Sequence, residues 1–153
     1  MNKAFTLIEV IIAISVFLIG ILGIYAVIPR IISISAANTS RFIASQLGRE
    51  GIEIVRNIRD SNYLEGSVFD DELNDGEWRV QYNKDFLLSL SGNPFLRING
   101  QGFYNYDSGT ETKFKRKVTL SHPGTDRLNV KVEVSWSGNG SFLEIEENLY
   151  NWR

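Results

Sequence analysis

Nineteen consecutive residues, Val10 to Ile28 (VIIAISVFLIGILGIYAVI), carry no charged side chain. As an α-helix rising about 1.5 Å per residue, the run covers roughly 28 Å. That is about the thickness of one bilayer hydrocarbon core. The segment therefore reads as membrane-inserted, and the rest of the fold has to be built outside it. Residues 1 to 32 hold only three charges, Lys3, Glu9 and Arg30, of the 16 basic and 18 acidic residues in the 153-residue chain. The remainder of the chain has the make-up of one small water-soluble domain, large enough for a single core and not for two.

The same inventory removes several kinds of chemistry. With no cysteine and a single histidine, His122, there is no material for a disulfide scaffold, a zinc cluster or a cysteine nucleophile. A net charge of -2 gives no electrostatic reason to expect nucleic acid as a partner. No nucleophile-elbow, zinc-protease or phosphate-loop motif is present, so no catalytic residue, metal ligand or cofactor site is expected. His122 precedes Pro123-Gly124 and reads as a turn residue. Asp70, Asp71, Glu72, Asp75 and Glu77 lack the spacing of a calcium loop and read as a solvated one. Lys113, Lys115, Arg116 and Lys117 form a basic run whose lysines fall on one strand face, near enough to Glu111 and Glu133 for the field to be diluted.

Lys3 and the initiator amine lie before the apolar run, which predicts an inside amino end and a head outside the cytoplasm. Three readings compete: a cleaved secretory signal, a plain anchor, and a span later drawn into a helical assembly. The run is too long for a secretory signal, although Ser35-Ala36-Ala37 could pass for its cleavage site. Helical spacing also persists past Pro29. Ala36, Ile43, Leu47, Ile54, Val55 and Ile58 share a face, and Arg41, Gln46, Arg49, Glu53, Arg56 and Arg59 point elsewhere. One helix is expected to about Asp60, spanning lipid over about residues 9–29 and amphipathic over 30–60.

Glu9 separates the remaining two readings. A carboxylate at the edge of an apolar span is costly to bury and should be partnered or functional. Its own chain offers few partners, since Lys3 lies six residues back on a different face. A cut between Ala4 and Phe5 would create an ammonium one helical turn before Glu9. Among identical stems packed side by side, the amine of one could then meet the carboxylate of its neighbour.

The run KAFTLIEVIIAISVFLIGILGI resembles the class III signal and N-terminal helix of type IV pilins and type II secretion pseudopilins. ASQLGREGIEIVRNIRDSNYL and the ending ENLYNWR are similar to V-type minor pilins, the type IV pilus modification proteins. The resemblance implies that a prepilin peptidase cuts after Ala4, where glycine is the commoner residue, and N-methylates Phe5. It implies that Glu9 neutralises the amine of an adjacent subunit and that Pro29 kinks the helix. The implied partners are the peptidase, other pilin or pseudopilin subunits through the N-terminal helix, an inner-membrane assembly platform and the lipid bilayer. The alternatives are a type II secretion or competence pseudopilin and a pilus-tip adhesin or DNA-binding subunit.

Two physical expectations complete the reading. Gly20 and Gly23 each weaken a helix by about 1 kcal/mol relative to alanine, and Pro29 removes the amide that would bond the Tyr25 carbonyl. The stretch Gly20 to Pro29 is thus the weakest part of the span, able to lengthen on assembly or simply to admit a close neighbour. After Asp60 the period becomes alternating. Trp78, Val80 and Tyr82; Phe114, Val118 and Leu120; and Leu128 to Trp136 predict strands, the last forming a hairpin with Phe142 to Tyr150 across Ser137-Gly138-Asn139-Gly140. Residues 61–77 and 83–112 read as loops. The fold class is α+β: a long N-terminal helix packed by Ile43, Leu47, Ile54 and Ile58 against a small antiparallel head over residues 61–153. Trp78, Trp136 and Trp152 read as core or sheet-covering aromatics.

Overall fold

A computed structural model describes residues 6–136 and 140–151 of the chain. It divides into two units, Met1–Thr39 and Ser40–Arg153. Helix α1 (Leu7–Glu65) runs through both. In the first unit α1 is apolar around its whole circumference, and 18 large side chains from Leu7 to Ile34 are 43–78% exposed. A helix of this kind finds no stable place in water and requires lipid or other helices around it. It is long and apolar enough to cross a membrane.

The second unit is α+β. Strands β1 (Gly76–Arg79), β2 (Leu88–Ser89), β6 (Phe114–Ser121), β7 (Arg127–Trp136) and β8 (Ser141–Tyr150) form an antiparallel sheet in the order β2-β1-β6-β7-β8. The register runs Lys117↔Glu133 between β6 and β7, and Trp136↔Ser141 through Arg127↔Tyr150 between β7 and β8. The expected hairpin is therefore present, although residues 137–139 of its turn lie outside the described residues, as does Trp152. Alternation along β7 buries Leu128, Val130, Val132, Val134 and Trp136 on one face. Phe114, Val118 and Leu120 of β6 join them. Against this face lies the second half of α1, burying Leu47, Ile54, Val55 and Ile58 as expected and covering Ile43 in part.

Two glycines set how closely the layers approach. A β-carbon on Gly48 would stand 2.8 Å from Ile145 Cδ1, and one on Gly51 would stand 3.0 Å from Val132 Cγ1 and 3.3 Å from Arg116 Cδ. Real β-carbons do not come this near without displacing a neighbour, so the sheet rests on the bare backbone of α1 at these positions.

Several local expectations are corrected. The helix does not end at Asp60. It ends in a Schellman motif five residues on, where Ser67 N–H donates to the Asn62 carbonyl at 2.9 Å, Gly66 N–H donates to the Tyr63 carbonyl at 3.3 Å, and Gly66 takes φ +79°. Ala36 is exposed, because the sheet first meets the helix at Ser40. Arg59 is buried with its stem against the core while its guanidinium reaches Asp60 at 2.7 Å. The strand expected over Trp78 to Tyr82 stops at Arg79, and Gln81 is buried while Tyr82 stacks on Phe103 at the surface. Gln81 goes inward because its amide replaces missing backbone partners. It donates to Asn83 and Asp107 at 2.7 Å each and accepts from the Tyr106 amide at 2.8 Å. Nor is 83–112 all loop, for β3 (Arg97–Ile98), β4 (Tyr104–Asn105) and β5 (Thr110–Glu111) pair as a second small sheet in the order β4-β3-β5.

Candidate assembly site

The first unit places Glu9 in the first turn of α1, three residues after Thr6. The Thr6 amide and hydroxyl both donate to Glu9 Oε2, at 2.9 and 3.0 Å, and the Glu9 amide donates back to Thr6 Oγ1 at 3.4 Å. This is a capping box, in which a side chain at each end satisfies an amide the helix leaves open. Thr6 is thus a partner of Glu9 that the sequence reading did not name. The pattern Thr6-x-x-Glu9 is a readable signal for it. Lys3, Ala4 and Phe5 lie outside the described residues.

Further along, α1 continues through Pro29 without a break in helix, the bond lost there being one among the many along its 59 residues. β-carbons on Gly20 and Gly23 would meet nothing within 4 Å. Among the described residues nothing in the packing demands glycine there.

In the second unit the centre of the helix–sheet interface holds a charge. Arg116 alternates inward from β6 between Phe114 and Val118 and has no solvent exposure. Its Nη1 donates to the Leu47 carbonyl of α1 at 3.1 Å and lies 3.4 Å from Glu50 Oε1, while Nη2 donates to the Val80 carbonyl at 2.7 Å. Tyr106 Oη donates to the Arg116 carbonyl at 3.1 Å, and burial raises its phenol above the ordinary value of 10.0, with Arg116 opposing the rise. One guanidinium thereby joins the helix, the sheet and the loop after β1. The parity of position 116 within the Phe114–Val118–Leu120 face carries this placement, but a basic residue between lysines reads first as surface.

The flanking lysines do face outward. Lys117 Nζ lies 2.9 Å from Glu77 and opposite Glu133, and its pKa is raised chiefly by the Glu77 hydrogen bond. Glu111 pairs with Arg97 at 3.3 Å and stands beside Lys113 and Lys115. The acidic segment is more than a solvated loop: Asp75 and Asp70 converge on His122, at 2.5 Å from Nδ1 and 3.5 Å from Nε2. Arg56 joins Glu53 to Glu147 of β8, tying helix to sheet edge.

The family model of the prokaryotic N-terminal methylation motif matches residues 1–25. The match spans the Ala4–Phe5 junction, Glu9 and most of the uncharged run. Together with the α+β layout and the long apolar helix, it supports a type IV pilin-like or pseudopilin precursor, a structural subunit rather than an enzyme. Such a motif implies processing by a prepilin peptidase and assembly with other pilins, and it is consistent with a membrane-anchored chain. No curated protein and no solved structure matches the chain.

Proposed function

We propose that the chain is a prepilin-like structural subunit, a minor pilin, cut after Ala4, N-methylated on Phe5 and assembled into a type IV pilus. It inserts once with the amino end inside and the head outside, then passes through an inner-membrane platform into the filament. The observation that carries this reading is the methylation motif over residues 1–25, whose part from Leu7 onward lies on a helix with 18 large apolar side chains exposed in the single chain. The minor-subunit assignment rests on the resemblance of the 44–64 stretch and of ENLYNWR. A pseudopilin of a secretion or competence system is the second reading, favoured by the same motif.

In the assembled state Glu9 pairs with the methylated amine of a neighbouring Phe5. The capping box keeps the carboxylate partnered within its own chain until that amine arrives. Among the described residues no intrachain contact requires Gly20 or Gly23, which leaves them two roles in the filament, helix extension between Gly20 and Pro29 or close approach of a neighbouring stem. Full hydrogen-exchange protection of that stretch in a filament would rule the extension out.

Intact-mass measurement tests processing. The expected mature species lacks residues 1–4 and carries one added methyl, and Ala4→Glu or loss of the peptidase leaves the full precursor. A mature chain starting at Asn38 would instead identify a secretory signal. Glu9→Ala should insert normally and incorporate poorly; normal incorporation would dismiss the charge pairing.

A further inference from the structure

Two surfaces of the second unit, at opposite ends of β6, are complementary in polarity and charge. At the start of β6 a groove of about 530 Å³ is walled by Phe95 and Trp136, with Lys113, Lys115 and Thr112 on its rim. Lys115 Nζ sits 4.5 Å over the Phe95 ring. Lys113 Nζ donates to the Ser40 hydroxyl at 2.7 Å. Among the described residues neither ammonium is paired with a carboxylate, while the one acid of the groove, Glu111, is engaged by Arg97. The groove thus offers an apolar floor and two cations in no direct ion pair among the described residues, with Glu111 on the same rim.

At the far end of β6, roughly 25 Å away at about 3.3 Å per residue, the segment from Leu64 to Glu72 presents the converse. Leu64 is 88% exposed and Val68 68% exposed, beside the exposed acids Glu65, Asp71 and Glu72. The segment is held rigidly. Phe69 and Leu73 are buried beneath it, Asn62 Nδ2 donates to the Asp71 carbonyl at 2.8 Å, and Asp70 Oδ2 lies 3.5 Å from His122 Nε2. A fixed apolar–acidic ridge loses little entropy on docking.

We infer that the Leu64–Glu72 ridge of one copy docks in the Phe95–Trp136 groove of a second copy of this chain, with Asp71 and Glu72 meeting Lys113 and Lys115. Because the two surfaces differ and lie at opposite ends of one strand, the contact is heterologous and leaves the ridge of one copy and the groove of the other open to further subunits. It deepens the filament reading proposed above by naming a contact between soluble units.

The chain has no cysteine, so introduced thiols report the contact directly. Full-length Ser67→Cys and Ser135→Cys variants, conservative changes beside the ridge and in the groove, are mixed in detergent solution under mild oxidation. The mixed disulfide should form at least tenfold faster than either homodimer. It should slow tenfold or more with Lys113→Glu/Lys115→Glu in the groove partner, and recover when Asp71→Lys/Glu72→Lys is placed in the ridge partner. Homodimers forming as fast as the mixed species, or rates indifferent to the charge reversal, would overturn the inference. So would absence of the adduct in the purified chain, the result expected if the groove takes an acidic segment of a different subunit. Intact mass on the same samples separates the two proposals: processed chains that fail to cross-link sink only the docking contact, whereas unprocessed chains that cross-link sink only the pilin reading.

Discussion

Replacing Arg116 by methionine keeps most of the side-chain volume and removes every donor. Two carbonyls, Leu47 and Val80, then lose hydrogen bonds from a charged group, each worth about 1.5–3 kcal/mol. Offsetting this, the buried guanidinium no longer has to be held out of water, a penalty of several kcal/mol in comparable sites. The offset is incomplete, because the two carbonyls stay buried without that donor, but the loss is moderated because Glu50 is one-third exposed and can be rehydrated by itself. The expected net loss is about 2–3 kcal/mol, below the roughly 3–5 kcal/mol of fully buried pairs broken on one side. With a urea m-value of about 1–1.5 kcal/mol/M for a unit of this size, the midpoint falls by about 2 M. The assay is urea unfolding of the full chain in detergent, followed by tryptophan fluorescence, since Trp136 packs 6.4 Å from Phe114 beside the site. A midpoint equal to or above that of the parent would refute the reasoning, showing that the charge is tolerated and does not secure the helix to the sheet. Arg116→Lys, one point donor in place of a fork, should fall between the two.

Gly51→Ala should destabilise by about 1–3 kcal/mol despite its gain in helix propensity, because the new β-carbon meets Val132 and Arg116; the same unfolding assay checks it. Gly48→Ala should cost less, as its obstacle is the flexible end of Ile145, and Gly23→Ala should not lower the stability of the isolated chain at all. Tyr106 and Lys117 both have raised native pKa values, so their stabilisation is complete below the unfolded values near 10.0 and 10.5 and is lost as pH rises through the native ones. Circular dichroism across about pH 9 to 12 should show stability falling from about pH 10, with the Lys117 part absent in Glu77→Gln. Thr6→Val should lose about 1 kcal/mol of capping at the start of α1, seen as faster amide exchange at Glu9 and Val10.

Much of the architecture is legible because it depends on local periodicity. Nineteen residues without charge mark a helix apolar enough to cross a membrane, and strict alternation over Leu128–Trp136 marks a half-buried strand, so the apolar stem, the β7–β8 hairpin and the α+β class are legible directly. Leu47, Ile54 and Ile58 are readable for the same reason. The helix end differs from expectation because a change of charge pattern at Asp60 is a weaker signal than Gly66, whose positive φ closes the last turn. The second sheet escapes sequence reading because its strands are two residues long, too short for any period to show.

The order of amino acids is enough to require an apolar helix needing lipid or neighbours, to match a methylation motif at residues 1–25, and to set an alternating sheet after it, since each is a property of adjacent residues. Tertiary structure alone decided that Arg116 is buried under Gly51, that Gln81 points inward and Tyr82 outward, that His122 stands between Asp70 and Asp75, and that an aromatic–basic groove and an apolar–acidic ridge occupy opposite ends of β6. Those facts join residues up to 69 positions apart. A polar side chain is buried or exposed according to which distant carbonyls and carboxylates reach it, and no local pattern encodes that meeting.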